Sequence, residues 1–261
     1  MSSLRDRSAV FAADPRAQDR GDSTAENVVD LSGVRFSWTG VPPLLIDIKA
    51  MQVARAERVF LRGPSGSGKS TLLSLLAGVI TPREGSLRVL GREIGVLSAA
   101  ERDRFRADHI GFIFQMFNLI PYLSVVENVA LACGFSRRRR AHAIRAGGSV
   151  EGEAVRLLEH LDMGAADVLR RPVTELSVGQ QQRVAAARAL IGAPELVIAD
   201  EPTSSLDADR RAAFIDLLFG ECARDQATLI FVSHDATLAP LFDRSIEFAE
   251  INRGPSMGGC G

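Results

Sequence analysis

Hydrophobic residues along this chain are spaced first as strands and later as strands that alternate with helices. Over residues 28–38 and 44–53 the apolar positions alternate or cluster, and Gly40 and a Pro-Pro pair separate the two segments. Short runs bounded by Gly and Pro are typical of β-strands. We therefore expect an antiparallel β layer at the start of the folded unit.

A second pattern begins with a short apolar run at 58–61, which leads through a glycine-rich loop into a predicted helix over 69–76. Beyond it, strand-like runs alternate with segments of helical periodicity. This alternation predicts a parallel sheet covered on both faces, and hence an α/β fold. Strands are expected over 109–114, 196–199 and 228–232, and helices over 124–132, 150–161, 208–221 and 236–241.

The two ends of the chain differ in composition from its middle. Residues 1–27 are rich in Arg, Asp, Ala and Ser without apolar periodicity, so we expect a disordered tail there. One folded unit is expected over 28–250, followed by a C-terminal tail over 251–261.

Within that unit, four consecutive arginines at 137–140 have no aromatic residue among them, and they predict a solvated surface turn rather than a binding patch.

Composition narrows the environment in which the protein works. The 261 residues are 46% hydrophobic, and their formal net charge of −1 provides no general attraction to nucleic acid or to an anionic membrane. The apolar stretch 72–80 is far shorter than the roughly 20 residues of a spanning helix, and the N-terminus has no secretory signal. The three cysteines show no paired spacing, which argues against a disulfide framework or a zinc site. We expect a cytoplasmic protein.

The glycine-rich loop has the spacing GxxxxGKS of the P-loop motif. Its glycines let backbone N–H groups surround an anion, Lys69 reaches the outer phosphates of a nucleotide, and the Ser70 hydroxyl is placed to hold Mg²⁺. The chain has only two lysines, so this one occurs where a compact ammonium has to fit. The predicted phosphate-binding residues are Gly63, Pro64, Ser65, Gly66, Ser67, Gly68, Lys69, Ser70 and Thr71.

Two consecutive carboxylates follow the apolar run at 196–199. Ligands of parallel sheets bind at the carboxyl ends of the strands, so Asp200 is expected beside Mg²⁺ and Glu201 is expected to orient or deprotonate an attacking water. Taken alone, the pair is also compatible with acids at the start of a helix. A P-loop with this pair leaves kinases, GTPases and motor ATPases as alternatives.

The run LSVGQQQR at 176–183 narrows these alternatives. With the P-loop and the acid pair it resembles the ATP-binding cassette (ABC) family, whose signature reads LSGGQ, and the resemblance extends over about 28–248. It implies a P-loop NTPase core with a mostly parallel sheet, an antiparallel β subdomain and a helical signature subdomain over about 116–190. It also implies ATP and Mg²⁺ as ligands.

The resemblance assigns further roles position by position. Trp38 matches the aromatic that stacks on adenine, although it is also compatible with an edge aromatic of the core. Gln115 matches a loop glutamine that touches Mg²⁺ or water, although taken alone it is only a polar loop residue. His234 matches the switch histidine that contacts the γ-phosphate. Residues 205–207 match a loop between two cassettes, although Asp207 is also compatible with a helix N-cap. Ser177, Gly179 and Gln180 match the signature residues that meet a partner's ATP.

One signature position departs from the family pattern, because Val178 stands where glycine is usual. A β-branched residue disfavours positive φ, so the backbone at Val178 has to be in an ordinary negative-φ region if the motif works.

The resemblance also implies how the protein assembles. One ATP would lie between the P-loop of one chain and the signature of a second, so we expect a head-to-tail homodimer. The partner would be a transmembrane permease, with the protein peripheral on the inner face of the membrane only through it and without nucleic acid. The alternative is a non-transport ABC ATPase of DNA maintenance or translation, which would carry a long coiled coil or two cassettes in one chain.

Residues 114–121 and 126–129 look like the branch that includes lipoprotein release, macrolide efflux and cell-division cassettes. We expect four apolar residues there to line the groove that receives a permease helix. They are Met116, Phe117, Leu119 and Ile120. The transported substrate and its direction belong to the membrane subunit and are not encoded in this chain.

Overall fold

The computed structural model describes residues 27–39, 43–204 and 206–254. It contains one antiparallel and one parallel sheet, with helices packed around the parallel one. The tail predicted over 1–27 lies, except for Asn27, outside the described residues.

The antiparallel sheet has four strands in the order β2-β1-β4-β5. In β1, Leu31 lies opposite Met51 of β2 and Leu87 of β4, and all three side chains are buried. This confirms the antiparallel layer predicted from alternation. The strands are β1 (Asn27–Phe36), β2 (Ile46–Ala54), β4 (Glu84–Val89) and β5 (Arg92–Glu93).

The parallel sheet has five strands in the order β6-β7-β8-β3-β9. Its central strands are buried on both faces: Val59 and Leu61 pack toward the antiparallel sheet, and Phe60 packs toward the helices that follow β6. The predicted parallel sheet is thus confirmed. The strands are β3 (Arg58–Arg62), β6 (Ile110–Ile113), β7 (Leu196–Asp200), β8 (Thr228–Val232) and β9 (Arg244–Glu247).

Helices connect the strands, and five of them lie in sequence between β6 and β7. The segment 236–241, predicted as an α-helix, is a 3₁₀ helix that contains Pro240. The α-helices are α1 (Lys69–Leu76), α2 (Ala99–His109), α3 (Val125–Gly134), α4 (Arg137–Gly147), α5 (Val150–His160), α6 (Ala166–Leu169), α7 (Val178–Leu190), α8 (Ala208–Arg224) and α9 (Phe248–Ile251). Among the described residues no helix has the length and apolar character needed to cross a membrane.

The arginine run at 137–140 is not a solvated turn, so that prediction was wrong. It forms the first turn of α4, which Ser136 caps by accepting a hydrogen bond from the Arg139 amide. The Arg139 guanidinium is buried and donates to the carbonyls of Ala189 at 2.6 Å and Ile191 at 2.7 Å. Those carbonyls lie at the end of α7, where helical carbonyls lack partners and carry partial negative charge. Burial lowers the pKa of Arg139 to about 10.

Candidate active site

The P-loop joins β3 to α1 and leaves the start of that helix open. The N-cap residue of α1 is Gly68, which has no side chain to cap the first-turn amides and has a φ of 107°. A Cβ at this position would lie 3.2 Å from Cδ1 of Ile46, so both the conformation and the space require glycine. The open amides and the positive end of the helix dipole favour an anion here.

Lys69 lies in this loop with its ammonium turned onto the loop backbone. Its Nζ donates to the carbonyls of Gly63 at 2.7 Å and Pro64 at 2.9 Å, and the residue is only 8% exposed. Burial lowers the pKa of Lys69, while the carboxylates of Glu201 and Asp200 oppose that shift. The buried Ser67 hydroxyl has no hydrogen-bond partner among the described residues. A buried donor without a partner fits a loop that takes up a polar ligand.

A pair of oxygen ligands lies where β7 ends. The Ser70 hydroxyl donates to Oδ2 of Asp200 at 3.0 Å. Burial raises the pKa of Asp200, while the hydrogen bond from Ser70 opposes the shift. Hydroxyl and carboxylate oxygens are the ligands that Mg²⁺ uses beside nucleotide phosphates, so these two residues fit that ion.

Glu201 and His234 are in direct contact. His234 Nδ1 lies 2.7 Å from Oε2 of Glu201, and the carboxylate is largely buried while the imidazole is exposed. Glu201 has a φ of 49°, held by its amide, which donates to the carbonyl of Val232 at 3.0 Å. A non-glycine residue in this region is strained, and such strain concentrates at functional sites.

One cavity of about 540 Å³ brings most of the predicted ATP-site residues together. Trp38 stands at its wall, 63% exposed, with its ring edge-on to Phe36 at 5.1 Å between centroids. The volume suits a small-molecule ligand. The predicted residues that line it are Trp38, Ser65, Gly66, Gly68, Lys69, Ser70, Thr71, Gln115, Asp200, Glu201 and His234.

The signature lies at the start of α7 and is capped within itself. Ser177 accepts a hydrogen bond from the Gln180 amide at 3.4 Å, and the Ser177 amide donates to Oε1 of Gln180 at 2.9 Å. Val178 is the first residue of the helix, and its side chain is half exposed. Its backbone is therefore helical, as its β-branched side chain predicts.

The signature and the P-loop face different cavities. Ser177, Gly179 and Gln180 line a cavity of about 430 Å³ together with Leu206. Among the described residues this cavity shares no wall with the P-loop cavity. Leu206 follows Ser205, which lies outside the described residues.

The sequence missed a contribution from the C-terminal segment. Asn252, expected in a tail, is 8% exposed and accepts a hydrogen bond from the Asp47 amide at 2.8 Å. Its Nδ2 donates to the carbonyl of Leu45 at 3.0 Å and lies 3.5 Å from that of Ser67 in the P-loop. A polar residue near the chain end gave no periodic signal, so only the fold shows that it supports the loop.

The four apolar residues expected in a docking groove have different surroundings. Met116 is 81% exposed and Ile120 is half-buried, whereas Phe117 is buried in the helical core and Leu119 packs against that core. Phe117 has a φ of 58°, and its carbonyl accepts a hydrogen bond from Arg188 of α7 at 2.5 Å. Phe117 is therefore a core residue, while Met116 and the exposed Tyr122 remain at the surface.

Comparison with known proteins finds ATP-binding proteins of transport systems similar to this chain. The family model described as ABC transporter matches residues 47–204. The chain is 39% identical to the lipoprotein-releasing system ATP-binding protein LolD of Anaeromyxobacter dehalogenans, with 88% of this chain and 93% of that protein covered. It is 42% identical to the phosphonates import ATP-binding protein PhnC of Nocardia farcinica, with 84% and 80% covered.

It is also 39% identical to the macrolide export ATP-binding/permease protein MacB 1 of Aeromonas hydrophila, where 86% of this chain matches only 34% of that protein. The chain thus spans about a third of that relative's length.

Two solved structures of the cassette MJ0796 share this fold at 31% identity. A dimeric form described as a bacterial ABC transporter cassette has a TM-score of 0.74 over 88% of this chain and 99% of that one. A dimeric post-hydrolysis form bound to ADP and Pi has a TM-score of 0.70 over 88% and 96%.

Proposed function

This chain belongs to the ABC transporter family, and we propose that it hydrolyses ATP as the energy-supplying subunit of a membrane transporter. The observation that carries this proposal is the convergence of Lys69, Asp200, Glu201 and His234 on one cavity beside the open start of α1. Phosphoryl transfer to water requires a cation at the phosphates, carboxylates for Mg²⁺ and the attacking water, and a loop that binds the phosphates. The ammonium, the acid pair and the histidine around the P-loop provide such groups.

In this proposal the P-loop amides and Lys69 bind the β- and γ-phosphates, and Trp38 stacks on the adenine. Lys69 would exchange its loop carbonyls for phosphate oxygens. Ser70 and Asp200, with Gln115 beside them, would hold Mg²⁺, which neutralises charge on the transferred phosphoryl group when bound.

Glu201 is assigned the role of orienting and deprotonating the attacking water. A proton passes from water to the Glu201 carboxylate, the water oxygen forms the new bond to the γ-phosphorus, and ADP leaves. The hydrogen bond with His234 fixes the carboxylate, and the exposed imidazole is free to approach the γ-phosphate. The left-handed backbone at Glu201 aims its side chain at the cavity.

We propose that the active form is a head-to-tail homodimer. The signature faces a cavity separate from the P-loop within one chain, so a second chain is needed to bring both motifs to one ATP. The dimeric cassettes of similar fold support this arrangement. Loss of the γ-phosphate removes the group that the two chains share, and the dimer opens.

We propose that the protein lies on the inner face of a membrane and is held there by a permease. The exposed Met116 and Tyr122, in the loop between Gln115 and α3, are the surface proposed to contact that permease. This loop is tied to α7 by Arg188, which donates to the carbonyls of Phe117 and Asn118. A permease helix that moves the loop would thereby also move the signature helix.

The test is the variant Glu201→Gln. It should bind ATP normally while its turnover falls by about 10²–10⁴-fold, since that is the range for loss of a general base. Because hydrolysis opens the dimer, ATP and Mg²⁺ should convert the variant to a stable dimer in size-exclusion chromatography with light scattering. The exposed Glu159→Gln is the matched control and should hydrolyse ATP at the normal rate. Normal hydrolysis by Glu201→Gln would overturn the assignment.

A further inference from the structure

The outward face of α4 is a basic surface with an apolar centre. Arg137, Arg140, Ile144 and Arg145 are exposed and follow each other at i, i+3, i+7 and i+8, so they share one side of the helix. Ile144 is 42% exposed, with arginines on both sides. Phe135, 73% exposed, lies at the end of α3 two residues before α4 begins. We call Phe135 and these four residues the α4 face.

The inward side of α4 is used by the fold, and the outward side is not. Arg139 and Ala143 are buried, and Arg138 is paired with Glu195 at the start of β7. Among the described residues, the guanidinium groups of Arg137, Arg140 and Arg145 have no hydrogen-bond or ion-pair partner. The helix itself contains no acidic residue. Within the part of the chain that the structure describes, three guanidinium groups without partners and the exposed Ile144 therefore lie on about 16 Å of helix, and the exposed Phe135 precedes that helix by two residues.

We propose that the α4 face binds the surface of a membrane that contains anionic lipids. The three guanidinium groups would contact lipid phosphates, while Phe135 and Ile144 enter the boundary between headgroups and acyl chains. A basic helix face with an apolar centre is the pattern that lies on such interfaces.

Two observations favour a lipid surface over other anions. The net charge of the whole chain is −1, so the attraction is local to this face rather than the broad positive field of a nucleic-acid-binding protein. The exposed side chains of Phe135 and Ile144 would stay in water on a nucleic-acid phosphate backbone, whereas at a lipid interface their apolar surface is buried. The inference rests on the proposed function in one respect only, which is that a transporter subunit works beside a membrane.

The α4 face lies close in sequence and space to the surface proposed to contact the permease. The surface proposed for the permease precedes the start of α3, and Phe135 follows its end, so the length of α3, about 15 Å, separates them. The proposal requires that, in a cassette docked through the first surface, α3 holds the α4 face toward the same bilayer. The face would then orient the cassette on the membrane independently of the permease.

The test is cosedimentation of the full chain with vesicles of phosphatidylcholine, with and without phosphatidylglycerol. The wild-type protein should bind only the anionic vesicles, and added salt should release it. The triple variant Arg137→Gln, Arg140→Gln, Arg145→Gln should bind about a hundredfold more weakly, given the usual contribution of each basic residue near an anionic surface. Phe135→Ser should weaken binding at high salt as well as at low salt, because its contribution is apolar.

The matched control is the triple variant Arg92→Gln, Arg170→Gln, Arg253→Gln, which removes the same charge from exposed positions elsewhere. It should bind vesicles as the wild type does. Equal loss in this control, retained binding by the α4 variant, or equal affinity of the wild type for duplex DNA at the same salt would each overturn the proposal. ATP hydrolysis without vesicles should be normal in every variant. Failed vesicle binding with normal hydrolysis would therefore contradict this inference alone, whereas failed hydrolysis by the wild type would contradict the proposed function.

Discussion

Two helices begin at the P-loop and at the signature, and their first turns differ. At α1 the N-cap is Gly68, the first-turn amides have no side-chain cap, and the nearby Ser67 hydroxyl has no partner among the described residues. At α7 the N-cap is Ser177, and it forms a complete capping box with Gln180. In the described structure, the first-turn amides of α1 thus have no side-chain cap, whereas α7 is capped by its own Ser177 and Gln180.

The difference indicates an order of events. The open start of α1 would gain hydrogen bonds as soon as a nucleotide arrives, so we expect one chain to bind ATP alone. The capped start of α7 gains little from an anion until a second chain presents one in the right position, because Ser177 and Gln180 are already satisfied. We therefore expect changes at α1 to alter nucleotide binding, and changes at α7 to alter hydrolysis by the dimer without altering nucleotide binding by one chain.

The largest effect expected in this comparison is that of Lys69→Ala. Loss of a charged hydrogen-bond donor to phosphate costs about 1.5–3 kcal/mol, so the Kd for ATP should rise by up to about a hundredfold. Isothermal titration calorimetry on the isolated chain measures this. The only other lysine, Lys49, is exposed on β2, and Lys49→Ala is the control that should leave affinity unchanged. An unaltered Kd in Lys69→Ala would remove the phosphate role assigned to α1.

A smaller effect is expected from Ser177→Ala at α7. The variant should bind ATP as a monomer with normal affinity, while the hydrolysis rate falls about tenfold through loss of one hydrogen bond to phosphate. Loss of the cap also costs about 1 kcal/mol of stability.

Ser149→Ala is the control that separates the loss of stability from the loss of hydrolysis. Ser149 caps α5 by accepting a hydrogen bond from the Gly152 amide at 2.9 Å, and it lines neither phosphate-motif cavity. Thermal unfolding should show a similar loss of stability in both variants, with hydrolysis reduced only in Ser177→Ala. Equal hydrolysis rates would mean that Ser177 only caps its helix.

The smallest effect is expected from Val178→Gly, which restores the usual family residue. Val178 is in the first turn of α7 with helical backbone and a half-exposed side chain, so glycine is not required by its conformation. The ATPase rate should change by less than about twofold, and stability should fall by at most about 0.5 kcal/mol. A large gain in rate, measured by phosphate release, would show that the valine obstructs the second chain.

Local chemistry explains which features were predictable. The P-loop, the acid pair and the signature each consist of adjacent residues whose types and spacing determine what they can bind, so Lys69, Asp200 and Ser177 could be found one motif at a time. The arginine run could not be interpreted in this way. Arg139 is buried because the end of α7, about 50 positions later in the chain, provides carbonyl acceptors for it.

The sequence by itself determined the α/β fold and predicted which residues line the P-loop cavity, because periodicity and motif spacing act over a few neighbouring residues. Only the tertiary structure decided that His234 contacts Glu201 and that Asn252 supports the P-loop from the C-terminal segment. It also decided that the guanidinium groups of three arginines of α4 have no partner in the described part of the chain. Each of these features depends on segments that are far apart in sequence and come into contact only through packing, so no local sequence pattern predicts it.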